Sequence, residues 1–97
     1  MIKHIVCWKI KPELNKSETI LRIKSELESL PALIREIKML EVGVNVTHIE
    51  VAYDVVLVSD FESLEALDIY QKHPAHQRAA QYIRSVVSER ILVDYEF

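Results

Sequence analysis

The chain has 97 residues, of which 49% are hydrophobic and 28% charged, with a formal net charge of -3 at pH 7. This length suits one domain, which we expect to span residues 1–97. The small negative charge gives no basic stripe of the kind that nucleic-acid-binding proteins carry, and no apolar run is long enough to cross a membrane. We therefore expect neither nucleic acid nor membrane as a partner.

Cysteine usage and the N-terminus indicate the compartment. Cys7 is the single cysteine, so an intrachain disulfide is impossible and a reducing environment is expected. Residues 1–4 lead directly into a strand pattern, without the apolar core of a signal peptide. The sequence predicts a cytoplasmic protein.

The first predicted strand covers residues 2–10, in which side chains alternate between two faces. One face carries Ile2, His4, Val6, Trp8 and Ile10, and the other carries Lys3, Ile5, Cys7 and Lys9. Because the centre of the strand is apolar on both faces, it is predicted to lie inside the sheet. We assign the face with Val6 and Trp8 to the side away from the helices. Cys7 is then expected on the helix side, as a small buried hydrophobe.

A helix is predicted after Pro12. Asn15 followed by Glu18 resembles a capping box. Apolar residues then recur at helical spacing, at Ile20, Ile23, Leu27 and Leu30. Pro31 is expected either to end this helix or to open a further short turn.

Two strands are predicted next, over residues 37–46 and 51–61. Gly43 in the first indicates a bulge or a close backbone approach. Val55 to Val58 in the second are four consecutive apolar residues, so both faces of this strand are expected to be shielded from water.

The last third of the chain predicts two helices and a strand. Ser63 is expected to cap the first helix, and His73 lies where a capping residue precedes Pro74, which suits the first position of the second helix. The predicted inward residues are Leu64, Leu67, Tyr70 or Gln71, Ala79, Tyr82 and Ile83. A strand over residues 86–95 closes the chain.

The predicted fold class is α+β. The order β-α-β-β-α-β with right-handed crossovers gives a ferredoxin-like, four-stranded antiparallel sheet with the helices on one face. Leaving the apolar helix-free face in water would cost on the order of 5–10 kcal/mol, at about 25 cal/mol per Å². We therefore expect a homodimer in which two sheets pair into a dimeric α+β barrel.

The barrel cavity and the interface follow from this arrangement. The residues predicted to line the cavity and contact a ligand are His4, Val6, Trp8, Val55 and Leu57. A terminal apolar strand often pairs with a partner, so the interface candidates are Ile91, Val93 and Tyr95.

Several segments form a characteristic set. They are Ile2-Lys3-His4-Ile5-Val6, Tyr53-Asp54-Val55-Val56-Leu57-Val58, Phe61-Glu62-Ser63-Leu64-Glu65-Ala66-Leu67, Tyr70-Gln71-Lys72-His73-Pro74-Ala75-His76 and Val93-Asp94-Tyr95. Together they resemble the stress-responsive A/B barrel (Dabb) family over essentially the whole chain. The resemblance implies a homodimeric α+β barrel, and it implies no single activity, because this fold hosts several chemistries. Similarity to the plant polyketide cyclases of the family implies His76 and Tyr70 as an acid–base pair, with His4 in the cavity wall.

His76 and Tyr70 are the candidate catalytic residues. A histidine with a near-neutral pKa takes a proton from a carbon beside a carbonyl, and a tyrosine O–H stabilises the resulting enolate. The structural alternative is that His76 caps a helix end and the Tyr70 hydroxyl makes a buried hydrogen bond. His73 and His76 lack the further ligands that a metal site needs, so neither a metal nor a cofactor is predicted.

Two functions stay open. The favoured hypothesis is a small homodimer of unassigned activity, stress-related or binding a small apolar or aromatic ligand in its cavity. The alternative is a cofactor-free acid–base enzyme, a cyclase or isomerase of a carbonyl or aromatic compound, that uses His76 and Tyr70 with help from His4. Cofactor-free oxygenation of phenols, known on a related fold, is a weaker variant.

Overall fold

A computed structural model describes all residues, 1–97. The elements are β1 (Ile2–Ile10), α1 (Lys16–Glu28), a 3-10 turn (Leu30–Ala32), β2 (Met39–Val44), β3 (Val55–Phe61), α2 (Leu64–Lys72), α3 (Pro74–Val86) and β4 (Val87–Glu96). The strands form one sheet in the order β2-β3-β1-β4, and all neighbours are antiparallel. The predicted ferredoxin-like α+β fold and the central position of β1 are confirmed.

The predicted helix starts are confirmed by their hydrogen bonds. The Glu18 N–H donates to Asn15 Oδ1 at 3.0 Å, and the Ala66 N–H donates to Ser63 Oγ at 3.1 Å. At the junction of α2 and α3, the Ala75 N–H donates to His73 Nδ1 at 3.0 Å. These bonds satisfy amide groups that have no partner within their own helix, and they fix where each helix begins.

Two predicted strands are shorter than expected. β2 covers Met39–Val44 and β3 covers Val55–Phe61, whereas the predicted strands were residues 37–46 and 51–61. Residues 45–54 form a loop between the two strands. Asp54 accounts for the boundary, because its carboxylate accepts the Ile10 N–H at 2.8 Å and its own N–H donates to Trp8 O at 2.8 Å. Leu64 was also predicted wrongly as inward: it is the first residue of α2 and 66% exposed.

One face of the sheet is covered by the helices. Ile2, Val6, Trp8, Ile10, Val55, Leu57 and Phe61 from the strands are buried there with Ile23, Leu27, Leu67, Tyr70, Ala79 and Ile83 from the helices. The predicted orientation of β1 and β3 was therefore wrong: Val6, Trp8, Ile10, Val55 and Leu57 lie beneath the helices and not on the free face. Alternation groups the residues that share a face, but both faces are apolar, and the sequence pattern does not say which one the helices cover.

The other face, which we call the open face, has Ile5, Cys7, Val56, Val58, Ile91 and Val93 at its centre. Residues paired across neighbouring strands lie on the same face, and Ile5 pairs with both Val58 and Val93, as Cys7 does with Val56 and Ile91. Cys7 was predicted on the helix side; it lies instead on the open face, partly exposed. The expectation of an apolar helix-free face is confirmed, but with different residues.

Gly43 lies beside this face, where β2 comes close to β3. A Cβ atom at Gly43 would approach Val56 Cγ1 to 2.8 Å, closer than real Cβ contacts. The neighbour is a side chain, so neither the predicted bulge nor a backbone approach accounts for this glycine; it leaves room for the Val56 methyl group. None of the helices is long and apolar enough to cross a membrane.

Candidate functional site

Three of the predicted site residues meet beneath the helices. The ring centroids of Tyr70 and His76 are 4.5 Å apart, and those of His4 and Tyr70 are 6.1 Å apart in an edge-to-face arrangement. The Phe61 ring packs against Tyr70 at 4.8 Å. The break between α2 and α3 at His73 brings Tyr70 and His76 together, because it turns the start of α3 back over the end of α2.

His4 is held by a residue from the edge strand. It is buried, and its Nδ1 lies 2.5 Å from Asp94 Oδ1. Since β1 and β4 place His4 directly opposite Asp94, the contact follows from strand register. An ionised carboxylate only accepts hydrogen bonds, so the His4 Nδ1 carries the proton and donates it.

The Tyr70 hydroxyl is buried and has no hydrogen-bond partner. Burial raises the pKa of Tyr70 well above its ordinary value of 10.0, so the phenol keeps its proton at neutral pH. An unsatisfied buried hydroxyl costs roughly 1–3 kcal/mol. The Tyr70 hydroxyl is thus a protonated donor that makes no hydrogen bond within the chain, which is unusual for a buried polar group.

His76 is fixed as a neutral base. Its Nδ1 lies 3.0 Å from the carbonyl oxygen of Gln71, so Nδ1–H donates and the Nε2 lone pair is left free. The pKa of His76 is lowered from 6.5, first by burial, and also by the positive charges of Arg84 and Arg90 and by His4, against the raising effect of the Gln71 carbonyl. A neutral imidazole with one defined tautomer is the form that accepts a proton at pH 7.

His76 also lines a cleft of about 210 Å³ between α3 and the strands β1 and β4. The cleft is bounded by Trp8, His76, Ala80, Ile83, Arg84 and Arg90. His76, Ala80 and Arg84 are spaced four residues apart on α3, so they form one stripe along that helix. Trp8 forms the floor, with Arg90 directly opposite it on β4.

A second depression, of about 540 Å³, lies at the other end of β4. Its lining includes four acidic side chains, Glu62, Glu65, Asp94 and Glu96. On the helix side of β4, Arg90 and Asp94 are separated by Leu92, which is 41% exposed. The edge between β4 and the helices therefore has a basic end at Arg90 and an acidic end at Asp94. No group of three or more His, Cys, Asp or Glu residues is arranged to hold a metal ion.

The other predicted ligand contacts are placed differently. Val6, Val55 and Leu57 are packed in the core beneath the helices, so their expected location in a cavity between two subunits is corrected, because the free face consists of the alternate residues. Of the five predicted ligand residues, Trp8 lines the α3 cleft and His4 joins the aromatic cluster. Ligand contact by these residues stays a prediction.

Three charged residues were missed as site candidates from the sequence. Asp94, Arg84 and Arg90 belong to the site only through the β1–β4 register and the packing of α3. No spacing along the chain links residue 4 to residue 94 or residue 8 to residue 90. Recognising them would have required the pairing of the first strand with the last.

Three known proteins are similar to this chain over nearly its full length. An uncharacterized protein of Streptomyces coelicolor is 30% identical over 100 residues and is covered completely, as is this chain. A dimeric protein of unknown function with a ferredoxin-like fold from Bacteroides fragilis is 33% identical with a TM-score of 0.91, covering 99% of this chain and 95% of that one. A dimeric ferredoxin-like protein of unknown function from Thermobifida fusca is 25% identical with a TM-score of 0.89, covering 99% and 90%.

The family follows from a match over nearly the full length. Residues 2–97 match the family described as Stress responsive A/B Barrel Domain. The solved structures agree with this match, since they share the same fold and are described as dimeric. The chain therefore belongs to the stress-responsive A/B barrel (Dabb) family.

Proposed function

We propose that this protein is a cofactor-free acid–base enzyme that removes a proton from a carbon next to a carbonyl group in a small substrate. The observation that carries the proposal is the unpartnered Tyr70 hydroxyl on a ring that packs against the ring of a neutral His76. A proton acceptor and a proton-bearing donor on neighbouring rings are the two groups that enolisation requires.

Each group has one role in the step. His76 Nε2 takes the proton from the carbon, the C–H electron pair forms a C=C bond, and the carbonyl π pair moves onto oxygen. The Tyr70 O–H donates a hydrogen bond to this enolate oxygen. Return of the proton from His76 to a different carbon completes an isomerisation. Attack of the enolate carbon on a second carbonyl of the same molecule, with the proton passed to the new alkoxide, completes a cyclisation.

His4 supports this arrangement as a positioning residue. Its Nδ1–H is donated to Asp94, and its ring packs edge-to-face on Tyr70 and on Phe61. These contacts restrict the Tyr70 ring. The expected effect of His4 is therefore on the orientation of the phenol.

The test is deuterium exchange into small β-dicarbonyl and 2-oxo compounds in D₂O, followed by ¹H NMR. We expect exchange above background, a fall of roughly 10²-fold or more for His76→Gln and a comparable fall for Tyr70→Phe, as general bases and oxyanion donors typically contribute. His48→Gln is the matched control, because His48 lies exposed in the β2–β3 loop. Exchange at the wild-type rate in His76→Gln would contradict the proposal.

A second candidate is binding of a small apolar or aromatic ligand without turnover. The position of Tyr70 favours binding without turnover, because this residue is completely buried and does not line the cleft where His76 is found. Trp8, Ala80 and Ile83 supply apolar walls in that cleft. Ligand binding by wild-type protein with no exchange in any bound carbonyl compound would support this candidate over the enzyme.

We also propose that two copies pair through the open face. Support comes from its apolar composition and from the relatives described as dimeric. Burying Ile5, Val58 and Val93 against the same residues of a second copy removes them from water, which stabilises a pair by about 25 cal/mol for each Å² of apolar surface. A cytoplasmic location stays a prediction. A link to stress, which the family's name suggests, also stays a prediction.

A further inference from the structure

We propose that the cleft beside His76 binds a small carboxylate, with Arg84 and Arg90 as the residues that hold the carboxylate group. This inference deepens the proposed function, since it names the substrate class for the same site. Its anion-binding part is tested separately from catalysis.

The two guanidinium groups lie beside the same cleft. Arg84 comes from α3, two turns after His76, and Arg90 comes from β4, opposite Trp8 on the helix-covered face. Both line the same cleft as His76. Two consecutive elements, a helix and the strand that follows it, thus each place a guanidinium group beside one small space.

Neither of these arginines has an acidic partner in an ion pair. The ion pairs of the chain use Lys3, Lys9, Lys16, Arg22, Arg35, Lys38, Lys72 and His4 as their cationic members. In a chain of net charge -3, acidic side chains are in excess, yet none forms an ion pair with Arg84 or Arg90. An anion in the cleft would supply the missing partner, and arginine binds carboxylates through two parallel N–H···O bonds.

The size of the cleft and the polarity of its remaining walls restrict the ligand. A volume of about 210 Å³ is below the roughly 300–1,000 Å³ typical of sites for drug-sized ligands. Trp8, Ala80 and Ile83 are apolar. The cleft therefore suits a small acid with an aromatic or aliphatic body, whose carbonyl-bearing carbons lie next to His76 when the carboxylate lies at the arginines.

The acidic residues at the other end of β4 give the ligand a direction. Glu62, Glu65, Asp94 and Glu96 surround the second depression, and they repel a carboxylate. An anionic ligand is thus favoured with its charge at the Arg84 and Arg90 end. A 2-oxo or 3-oxo acid with a phenyl or short alkyl group fits both the charge and the proposed chemistry.

The experiment uses Trp8 as the probe, because it is the only tryptophan and forms the cleft floor. Fluorescence titrations at pH 7 compare 3-phenylpropanoate, which cannot react, with 3-phenylpropanamide, its uncharged counterpart. We expect the carboxylate to bind at least about tenfold more tightly. Arg84→Gln and Arg90→Gln should each weaken its binding by roughly tenfold or more, the loss of one charge-assisted hydrogen bond, and leave the amide unaffected.

Arg78→Gln is the matched control. Arg78 lies exposed on the same helix but outside the cleft, so it should bind both compounds like wild type. Equal affinity for acid and amide, no binding of either, or an equal loss in Arg78→Gln and Arg84→Gln would overturn the proposal. Circular dichroism melting of each variant confirms that the fold is retained.

His76→Gln separates this inference from the proposed function. It should retain binding of 3-phenylpropanoate within about threefold while losing proton exchange into phenylpyruvate by roughly 10²-fold. Retained carboxylate binding with no exchange in wild type would leave the anion site standing and remove the enzyme. Exchange in uncharged ketones with no preference for the acid would leave the enzyme standing and remove the anion site.

Discussion

The two faces of the sheet are both apolar, but they serve different purposes. The helix-covered face holds Trp8, Phe61 and Tyr70 in a closed core, whereas the open face holds smaller side chains such as Val56, Val58 and Cys7. On the covered face, polar groups are few and specific, namely His4 and Ser59 among the fully buried residues. On the open face, charged residues form a rim, with Lys3 paired to Asp60 at 3.2 Å and Lys9 to Glu89 at 3.7 Å.

This difference separates folding from association. The covered face completes the core of one chain and builds the candidate site beside it. The open face has an apolar centre and a charged border, which is the layout of a protein–protein interface. Substitutions on the two faces are therefore expected to have different readouts, even when they affect neighbouring residues of one strand.

The largest expected effect comes from adjacent residues of β1. Trp8→Ala should lower the free energy of unfolding by about 3–5 kcal/mol, because it empties a large space in the core. Cys7→Ala, on the open face, should lower it by less than about 1 kcal/mol. Chemical denaturation at fixed protein concentration measures both. Similar losses for the two variants would contradict the separation of the faces.

Val58→Asp should disrupt the dimer. Pairing would bury a carboxylate without a partner, at a cost of several kcal/mol, so the dissociation constant should rise by roughly 100-fold or more. Sedimentation velocity over a range of concentrations measures the shift. Val46→Asp is the control, since Val46 is 88% exposed in the β2–β3 loop. A wild-type protein that is monomeric at micromolar concentration would contradict the open-face dimer itself.

Gly43→Ala should destabilise the fold by about 1–3 kcal/mol, the usual cost of overpacking. The added Cβ would meet Val56 Cγ1 at 2.8 Å. Adding Val56→Ala removes that methyl group, so the double variant should lose less than the sum of the two single variants. Thermal denaturation of the four proteins completes the cycle, and strict additivity would show that the approach of these two residues is not the cause.

Tyr70→Phe should raise the free energy of unfolding by about 1 kcal/mol, because it removes an unsatisfied buried hydroxyl. The same variant is expected to lose proton exchange activity. Opposite effects on stability and activity would show that the hydroxyl is kept for function. A clear loss of stability would mean instead that the hydroxyl has a partner in the fold and would weaken the proposed function.

The smallest effect concerns pH. Because the pKa of His76 is lowered from 6.5 in the folded protein, the unfolded chain takes up this proton first as pH falls. The contribution of His76 to the free energy of unfolding is therefore complete above about pH 6.5. It decreases as the pH falls from there to the pKa of the folded state. His76→Gln should have a flatter stability profile between about pH 7 and pH 5.5 than wild type or His48→Gln. Parallel profiles would contradict the lowered pKa.

Local features could be predicted from the sequence where they depend on neighbouring residues. The caps at Asn15, Ser63 and His73 follow from short-range hydrogen bonding and are confirmed. The strand bounds near Asp54 could not be predicted, because they depend on a side-chain bond to Ile10, 44 residues away. The proximity of Tyr70 to His76 depends on the angle at the α2–α3 break, which no periodicity specifies.

The sequence by itself determined the order of the elements, the apolar character of both sheet faces and the central position of β1, because these depend on alternation and on local turn chemistry. Only the tertiary structure decided which face the helices cover, and with it which residues form the core, the open face and the cleft. It alone brought Asp94 to His4 and Arg90 to Trp8, because a register between the first and last strands is set by packing across the whole sheet and not by residues near one another in the chain.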